Sequence, residues 1–249
     1  MSSAIFYIDI LPKAGELAII NEKEAIYALN IRRIRVGEYI HLGNGTGTLC
    51  FCIVEKSNKN SLTVRALQLI SISPPKLKIK VVQAIPKSDN SGLAVQLATE
   101  AGADIISAWQ ASRCVSIWQG SKINKGLKRW KDVAISASKQ SRRAYIPEIE
   151  GLISTTKLIK QVSNSTSNGS IVLVLHELAA MSLASQKLDK FNSIVIIVGP
   201  EGGISNGEMT MLAKAGAKAV RLGPNILRTS TAAAIALGAI GASTERWNI

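Results

Sequence analysis

Two short glycine-bearing turns hold the residues best suited to chemistry. Val198-Gly199-Pro200-Glu201-Gly202-Gly203 closes the apolar run Ser193–Val198, and Leu222-Gly223-Pro224-Asn225 closes Ala219–Leu222. Glycine has no side chain, so backbone N–H and C=O groups can approach a ligand closely at such turns. Neither turn carries the GK[ST] of a Walker loop, and neither matches G-x-G-x-x-G. That disfavours a phosphate cradle and suits a ligand whose adenine is held by backbone groups. Ligands of open α/β sheets bind beyond the carboxyl ends of strands, where both turns fall. Three titratable side chains stand close by in sequence: Glu201 inside the first turn, Arg228 after the second, and His176 ending Ile171–His176.

Other chemistries are poorly supplied. Cys50, Cys52 and Cys114 make an odd set, which gives no even disulfide framework. Cys50 and Cys52 are two apart, a spacing for one face of a strand. With His41 and His176 the only histidines, no metal centre is expected. Met1–Ile10 has neither a basic n-region nor a small-residue cleavage site, so it does not read as a signal peptide. The apolar runs Ile194–Val198 and Ala232–Ala242 are too short to span a bilayer. The expectation is a reduced, cytoplasmic protein without a membrane segment.

The charge indicates a partner. The 249 residues include 30 Lys and Arg against 17 Asp and Glu, for a net charge of +13. Such a surplus favours a polyanion, either nucleic acid or an anionic membrane surface. Residues 73–160 hold 15 of the basic residues against 6 acidic ones. The densest part, Lys122–Arg143, has Asp132 as its one acid, with Trp118 just before it and Trp130 within it. Cations for phosphates and aromatic faces for unstacked bases together suit RNA; the alternative is a solvated helix face over two core tryptophans.

The elements that must position these residues fall into two parts. Residues 1–72 read as a small β-barrel-like module. Tyr39–Leu42, Thr48–Val54 and Ser61–Ala66 are strand-forming runs, separated by the turn signals 43–47 and 56–60, with a short helix over Glu22–Leu29. Pro74-Pro75 marks the linker. Residues 73–249 alternate strands and helices. The strands are Lys78–Ile85, Asp104–Trp109, Ile171–His176, Ser193–Val198 and Ala219–Leu222. The helices run from Asp89-Asn90-Ser91 (as N-caps) to Gly102 with Leu93, Leu97 and Ala98 on one face, then over Lys128–Arg142, Ser205–Ala215 and Leu227–Ala242. Gln161–Ser170 reads as a polar loop. This is the pattern of an α/β domain with a mostly parallel sheet.

Gly199-Pro200-Glu201-Gly202-Gly203 paired with Leu222-Gly223 and Ile226-Leu227-Arg228-Thr229-x-Thr231-Ala232 resembles the signature of the RsmE family, the 16S rRNA (uracil-N3) methyltransferases of the SPOUT superfamily. Ala84-Ile85-Pro86-Lys87, Ala98-Thr99-Glu100-Ala101-Gly102, Arg129-Trp130, Gln140-Ser141-x-Arg143 and Pro147 extend the likeness along almost the whole chain. The resemblance implies a PUA-like β-barrel domain that binds RNA, over 1–72. It implies an α/β SPOUT methyltransferase domain with a deep trefoil knot, over 73–249. It also implies a homodimer, S-adenosyl-L-methionine on the knot loops, and a uridine in the decoding region of the small ribosomal subunit's 16S rRNA as substrate.

Under that resemblance Val198, Gly199, Gly203, Leu222, Gly223 and Leu227 form the cofactor cleft. His176 either lines it or is a satisfied strand-end residue. Arg228 either steadies charge developing on the uracil or braces the knot. Glu201 either accepts the N3 proton or orders its own loop. Arg32, Arg33, Arg113, Lys128, Arg129, Arg142 and Arg143 are the bases expected to meet RNA. Two departures stand out: Ser230 replaces the Glu of the family's ILRTETA, and Tyr27 stands near where a His is expected. The first motivates an alternative, an RNA-binding or assembly module with a vestigial pocket; another is a related methyltransferase acting at a different RNA position.

Overall fold

The computed structural model describes residues 4–247, apart from the side chains of residues 22, 23, 88 and 89. They fall into two compact units, Met1–Pro74 with Ser138–Ile146, and Pro75–Ala137 with Pro147–Ile249. The chain therefore leaves the second unit for nine residues and returns to it.

The first unit is built from β1 (Ala4–Tyr7), β2 (Leu17–Asn21), α1 (Glu22–Ile26), β3 (Tyr39–Gly43), β4 (Thr48–Asn58) and β5 (Ser61–Ser71). Their order is β1-β3-β4-β5-β2, with β1 parallel to β3 and the other pairs antiparallel. Alternation along β4 and β5 sends Cys50, Cys52, Val54, Leu62, Val64 and Ala66 inward to meet Phe6, Ile20, Ile40 and Leu42. Both cysteines are buried free thiols, and burial pushes Cys52 up in pKa. The expected helix over Glu22–Leu29 is α-helical only to Ile26 and continues as a π-helical turn over Tyr27–Ile31. Tyr27 packs edge-on against Phe6 and lies under the Lys139 ammonium, so it serves the core.

Residues 138–146 dock on the glycine-rich turn between β3 and β4. Gly47 N–H donates to the Ala144 carbonyl at 3.0 Å and Ile146 N–H to Gly45 at 2.9 Å. A Cβ at Gly47 would strike the Tyr145 phenol 2.2 Å away, and Gly47 has φ +105°. This turn is spaced to admit a distant segment as well as to reverse the hairpin.

The second unit contains β6 (Lys78–Ala84), α2 (Ser88–Glu100), β7 (Ile105–Gln110), α3 (Ser121–Gln140), β8 (Glu148–Ser154), α4 (Thr155–Ser167), β9 (Ile171–Leu175), β10 (Ser193–Val198), α5 (Asn206–Lys214), β11 (Lys218–Val220) and α6 (Thr229–Ser243). All six strands are parallel, in the order β11-β9-β10-β6-β7-β8. β9 and, after Ser193, β10 are apolar because their two faces feed two different cores. α6 is apolar all round and buries Ala233, Ala236, Leu237 and Ile240. Parallel strands put every carboxyl end, and so both glycine turns, on one edge.

Several sequence expectations need correcting. The polar loop expected over Gln161–Ser170 is the end of α4 as far as Ser167. Ser154 caps that helix on Lys157 N–H, and Leu158 and Val162, four apart, bury one face. Its Ser, Thr and Asn residues are poor helix formers, and tertiary burial overrides them. α2 begins at Ser88 with Lys87 in the cap position and no side-chain cap. Asp89 as a cap lies outside the described side chains, and Ser91 instead accepts a hydrogen bond from Trp130 Nε1 at 2.8 Å. The inward face of α2 is Ser91, Ala94, Val95 and Ala98, while Leu93 is exposed. Trp130 is wholly buried, so it is a core residue and offers no stacking face. The β4–β5 hairpin turns at Lys59-Asn60, since both strands outrun the expected turn over 56–60.

Candidate functional site

A cavity of about 720 Å³ opens at the carboxyl edge of the parallel sheet. Its walls come from the end of β9, the turn after β10, the turn after β11 and the first residues of α6. Every residue expected in the cleft lines it: His176, Val198, Gly199, Gly203, Leu222, Gly223 and Leu227. So do Glu201 and Arg228. The two glycine turns, separate in sequence, thus face one space.

The first turn is held by bonds that the sequence only partly reveals. Gly203 N–H donates to the Pro200 carbonyl at 2.8 Å, closing a tight turn, and Gly203 has φ +72°. A Cβ at Gly203 or at Gly223 would meet no heavy atom within 4 Å, so both border open space. Thr229, first in α6, donates its hydroxyl to the Gly199 carbonyl and accepts from Gln83 Nε2 at 3.1 Å. This buried relay ties β6, α6 and the first turn together. Lys87 N–H donates to Glu201 Oε1 at 3.0 Å, which fixes the carboxylate at the start of α2. An anion there also meets the favourable end of the helix dipole.

Behind the turn lies Glu208, 3% exposed, a residue that sequence reasoning missed. Its carboxylate accepts from Ser112 N–H at 2.9 Å, Ser112 Oγ at 2.7 Å, Ser205 Oγ at 2.8 Å, Ser205 N–H at 3.1 Å and Thr155 Oγ1 at 2.9 Å. Burial alone would raise its pKa, but these donors outweigh burial and hold it near about 2. Glu208 thereby joins the loop after β7, the start of α4 and the cap of α5. The Ser205-x-x-Glu208 capping box was the signal that could have found it.

The remaining residues divide clearly. Arg228 is exposed, and among the described residues its guanidinium has no hydrogen bond or ion pair. Its backbone carbonyl, by contrast, accepts from Thr231 and Ala232. His176 accepts Leu178 N–H on Nδ1 at 3.2 Å while lining the cavity. Arg113 belongs to this cavity too, donating from Nη1 to the Gly202 carbonyl at 3.3 Å. Ser230 is 1% exposed and lies off the lining, its hydroxyl without a partner among the described residues.

Lys128 and Arg129 are exposed on α3, Arg33 and Arg142 are exposed in the first unit, and Arg32 and Arg143 are half-buried there. Arg33 and Arg142, at φ 54° and 56°, are the non-glycine residues with left-handed backbone among those described. His41 is pushed down in pKa by burial first and by the Arg142 charge second. Among the described residues no cluster of His, Cys, Asp and Glu could hold a metal, and no helix is long and apolar enough to cross a membrane.

Comparison with known proteins agrees with this geometry. An RNA methyltransferase domain model matches residues 73–241, and an RNA methyltransferase PUA domain model matches residues 20–67. Ribosomal RNA small subunit methyltransferase E of Mycobacterium tuberculosis is 48% identical over 248 residues, covering 100% of this chain and 95% of that protein. Its Bacillus subtilis namesake is 27% identical, covering 91% and 90%. The Neisseria gonorrhoeae namesake, solved bound to S-adenosyl methionine, superposes with a TM-score of 0.85 at 26% identity, covering 97% of this chain and 98% of that one. A PUA-like unit before an α/β methyltransferase unit, with the paired glycine turns on one cavity, places this chain in the ribosomal RNA small subunit methyltransferase E family.

Proposed function

We propose that the chain methylates N3 of a uridine in the decoding region of 16S rRNA, with S-adenosyl-L-methionine as donor and the small ribosomal subunit as substrate. The observation that carries the reading is the meeting of both glycine turns on one cavity of about 720 Å³. The residues fit the cofactor: the turns border open space at Gly203 and Gly223, where a Cβ would intrude. Val198, Gly199, Gly203, Leu222, Gly223, Leu227 and His176 would hold it. Bound there, the cofactor supplies an electrophilic methyl group.

The chain's own part is positioning and charge. Arg228 offers a free guanidinium to negative charge developing on the uracil oxygens as N3 loses its proton. Glu201 Oε1 orders the loop through Lys87, while Oε2 has no partner among the described residues and is open to receive that proton. Ser230, which stands where the family has a Glu, is buried and does not line the cavity. Arg32, Arg33, Arg113, Lys128, Arg129, Arg142 and Arg143 would meet RNA phosphates. The reading extends to a cytoplasmic homodimer, to a division of the chain near residue 72 with residues 138–146 returned to the first unit, and to a knotted second domain. The return of the chain from β10 to β11, on the far side of β9, and the burial of α6 support the knot.

Calorimetry with S-adenosylmethionine tests the pocket, and absence of binding at millimolar cofactor would overturn it. Mass spectrometry of rRNA from a deletion strain tests the product: N3-methyluridine should vanish, and its retention would remove this protein from the reaction.

A further inference from the structure

A second, smaller cavity lies beside α3. It measures about 250 Å³ and is lined by Pro86, Ser91, Trp118, Lys122, Lys125 and Arg129, among others. Trp118 is half-buried, with its ring edge-on to Trp130 at 5.3 Å. It lies against the backbone of α3 at Gly126, where a Cβ would come within 2.6 Å of the indole. A glycine inside a helix is a poor helix former, and here it makes room for the ring.

Lys122, Lys125 and Arg129 are spaced three and four apart, so they share one face of α3. All three are exposed, and among the described residues none has a hydrogen bond or ion pair. Like charges gathered on one face repel unless a polyanion lies among them. An aromatic wall with a cationic rim matches a base that stacks and a phosphate that is neutralised.

The position adds to this. Asn90 lines the large cavity and Ser91 the small one. Consecutive residues of the first turn of α2 therefore separate the two spaces. We propose that the small cavity takes one nucleotide of the single-stranded RNA substrate, a near neighbour of the methylated uridine, with its base on Trp118 and its phosphate among Lys122, Lys125 and Arg129. This rests on the methyltransferase reading for the identity of the strand.

The test uses the full chain, a short single-stranded RNA and small ribosomal subunits. Lys122→Glu with Lys125→Glu alters exposed residues only. It should raise KM for subunits by about tenfold or more, with cofactor affinity kept, and should flatten the salt dependence of RNA binding by about 0.7 per lost phosphate contact. Uridine monophosphate should quench tryptophan fluorescence in the parent protein, and Trp118→Leu should abolish that quenching and weaken RNA binding by about tenfold. Thermal melting separates this from misfolding. Unchanged KM in the charge variant overturns the proposal, as does displacement of RNA by polyglutamate equal to that by polyuridine, which would mark an acidic protein surface. The RNA titration needs no methyl transfer. Parent protein that quenches normally yet never methylates would therefore sink the methyltransferase reading and leave this cavity standing.

Discussion

At the scale of single residues, Glu208 shows how a buried charge can hold a site without touching a ligand. Its carboxylate is ionised near a pKa of about 2 because five donors aim at it, against an ordinary value of 4.5. A depressed folded pKa means that the unfolded chain takes up the proton first as pH falls. The contribution is therefore complete above about pH 4.5 and drains away down to about pH 2. Its size follows from the shift, about 3 kcal/mol. Acid unfolding of the parent protein should show this loss between those limits, whereas Glu208→Gln should be less stable at neutral pH and flatter across the window. Superimposable acid profiles would refute the assignment. The capping box with Ser205 was legible in sequence, but Ser112 and Thr155 lie 96 and 53 residues away, and no local pattern reports them.

At the scale of elements, legibility followed punctuation and apolar runs. β10 and the turn after it stood out because an unbroken apolar strand meets Gly-Pro. α4 did not, because its Ser, Thr and Asn residues imitate a loop until Leu158 and Val162 find their core. The Ser138–Ile146 excursion was invisible for the same non-local reason. The two glycine turns now give a paired prediction. Gly223 has ordinary backbone and open space beyond it, so Gly223→Val should keep the melting temperature and lose S-adenosylmethionine binding by calorimetry. Gly203 has φ +72°, so Gly203→Val should lose binding and also about 1–2 kcal/mol of stability. Retained cofactor affinity in both variants would mean that the turns do not form the cleft.

At the scale of the whole molecule, the net charge of +13 is sorted by task. The cavity lining is nearly balanced, with Arg113, Arg221 and Arg228 against Glu177 and Glu201, while Lys122, Lys125, Lys128 and Arg129 gather on α3 and Arg33 and Arg142 are exposed in the first unit. Arg142 carries the sharpest consequence of that division. It is exposed, holds left-handed backbone at φ 56° and depresses the His41 pKa through its charge. Left-handed backbone in a non-glycine residue costs about 1 kcal/mol and tends to be kept where a site needs it. Arg142→Gly should thus leave stability equal or slightly higher, since glycine adopts that conformation freely. The same change should let His41 titrate closer to its ordinary value, by NMR. It should also weaken RNA binding and reduce the slope of log affinity against log salt by about 1. Stability and RNA affinity moving in opposite directions is the signature of a residue retained for its partner. A variant that binds RNA with an unchanged salt slope would place the strand elsewhere and leave the strain at Arg142 without a role.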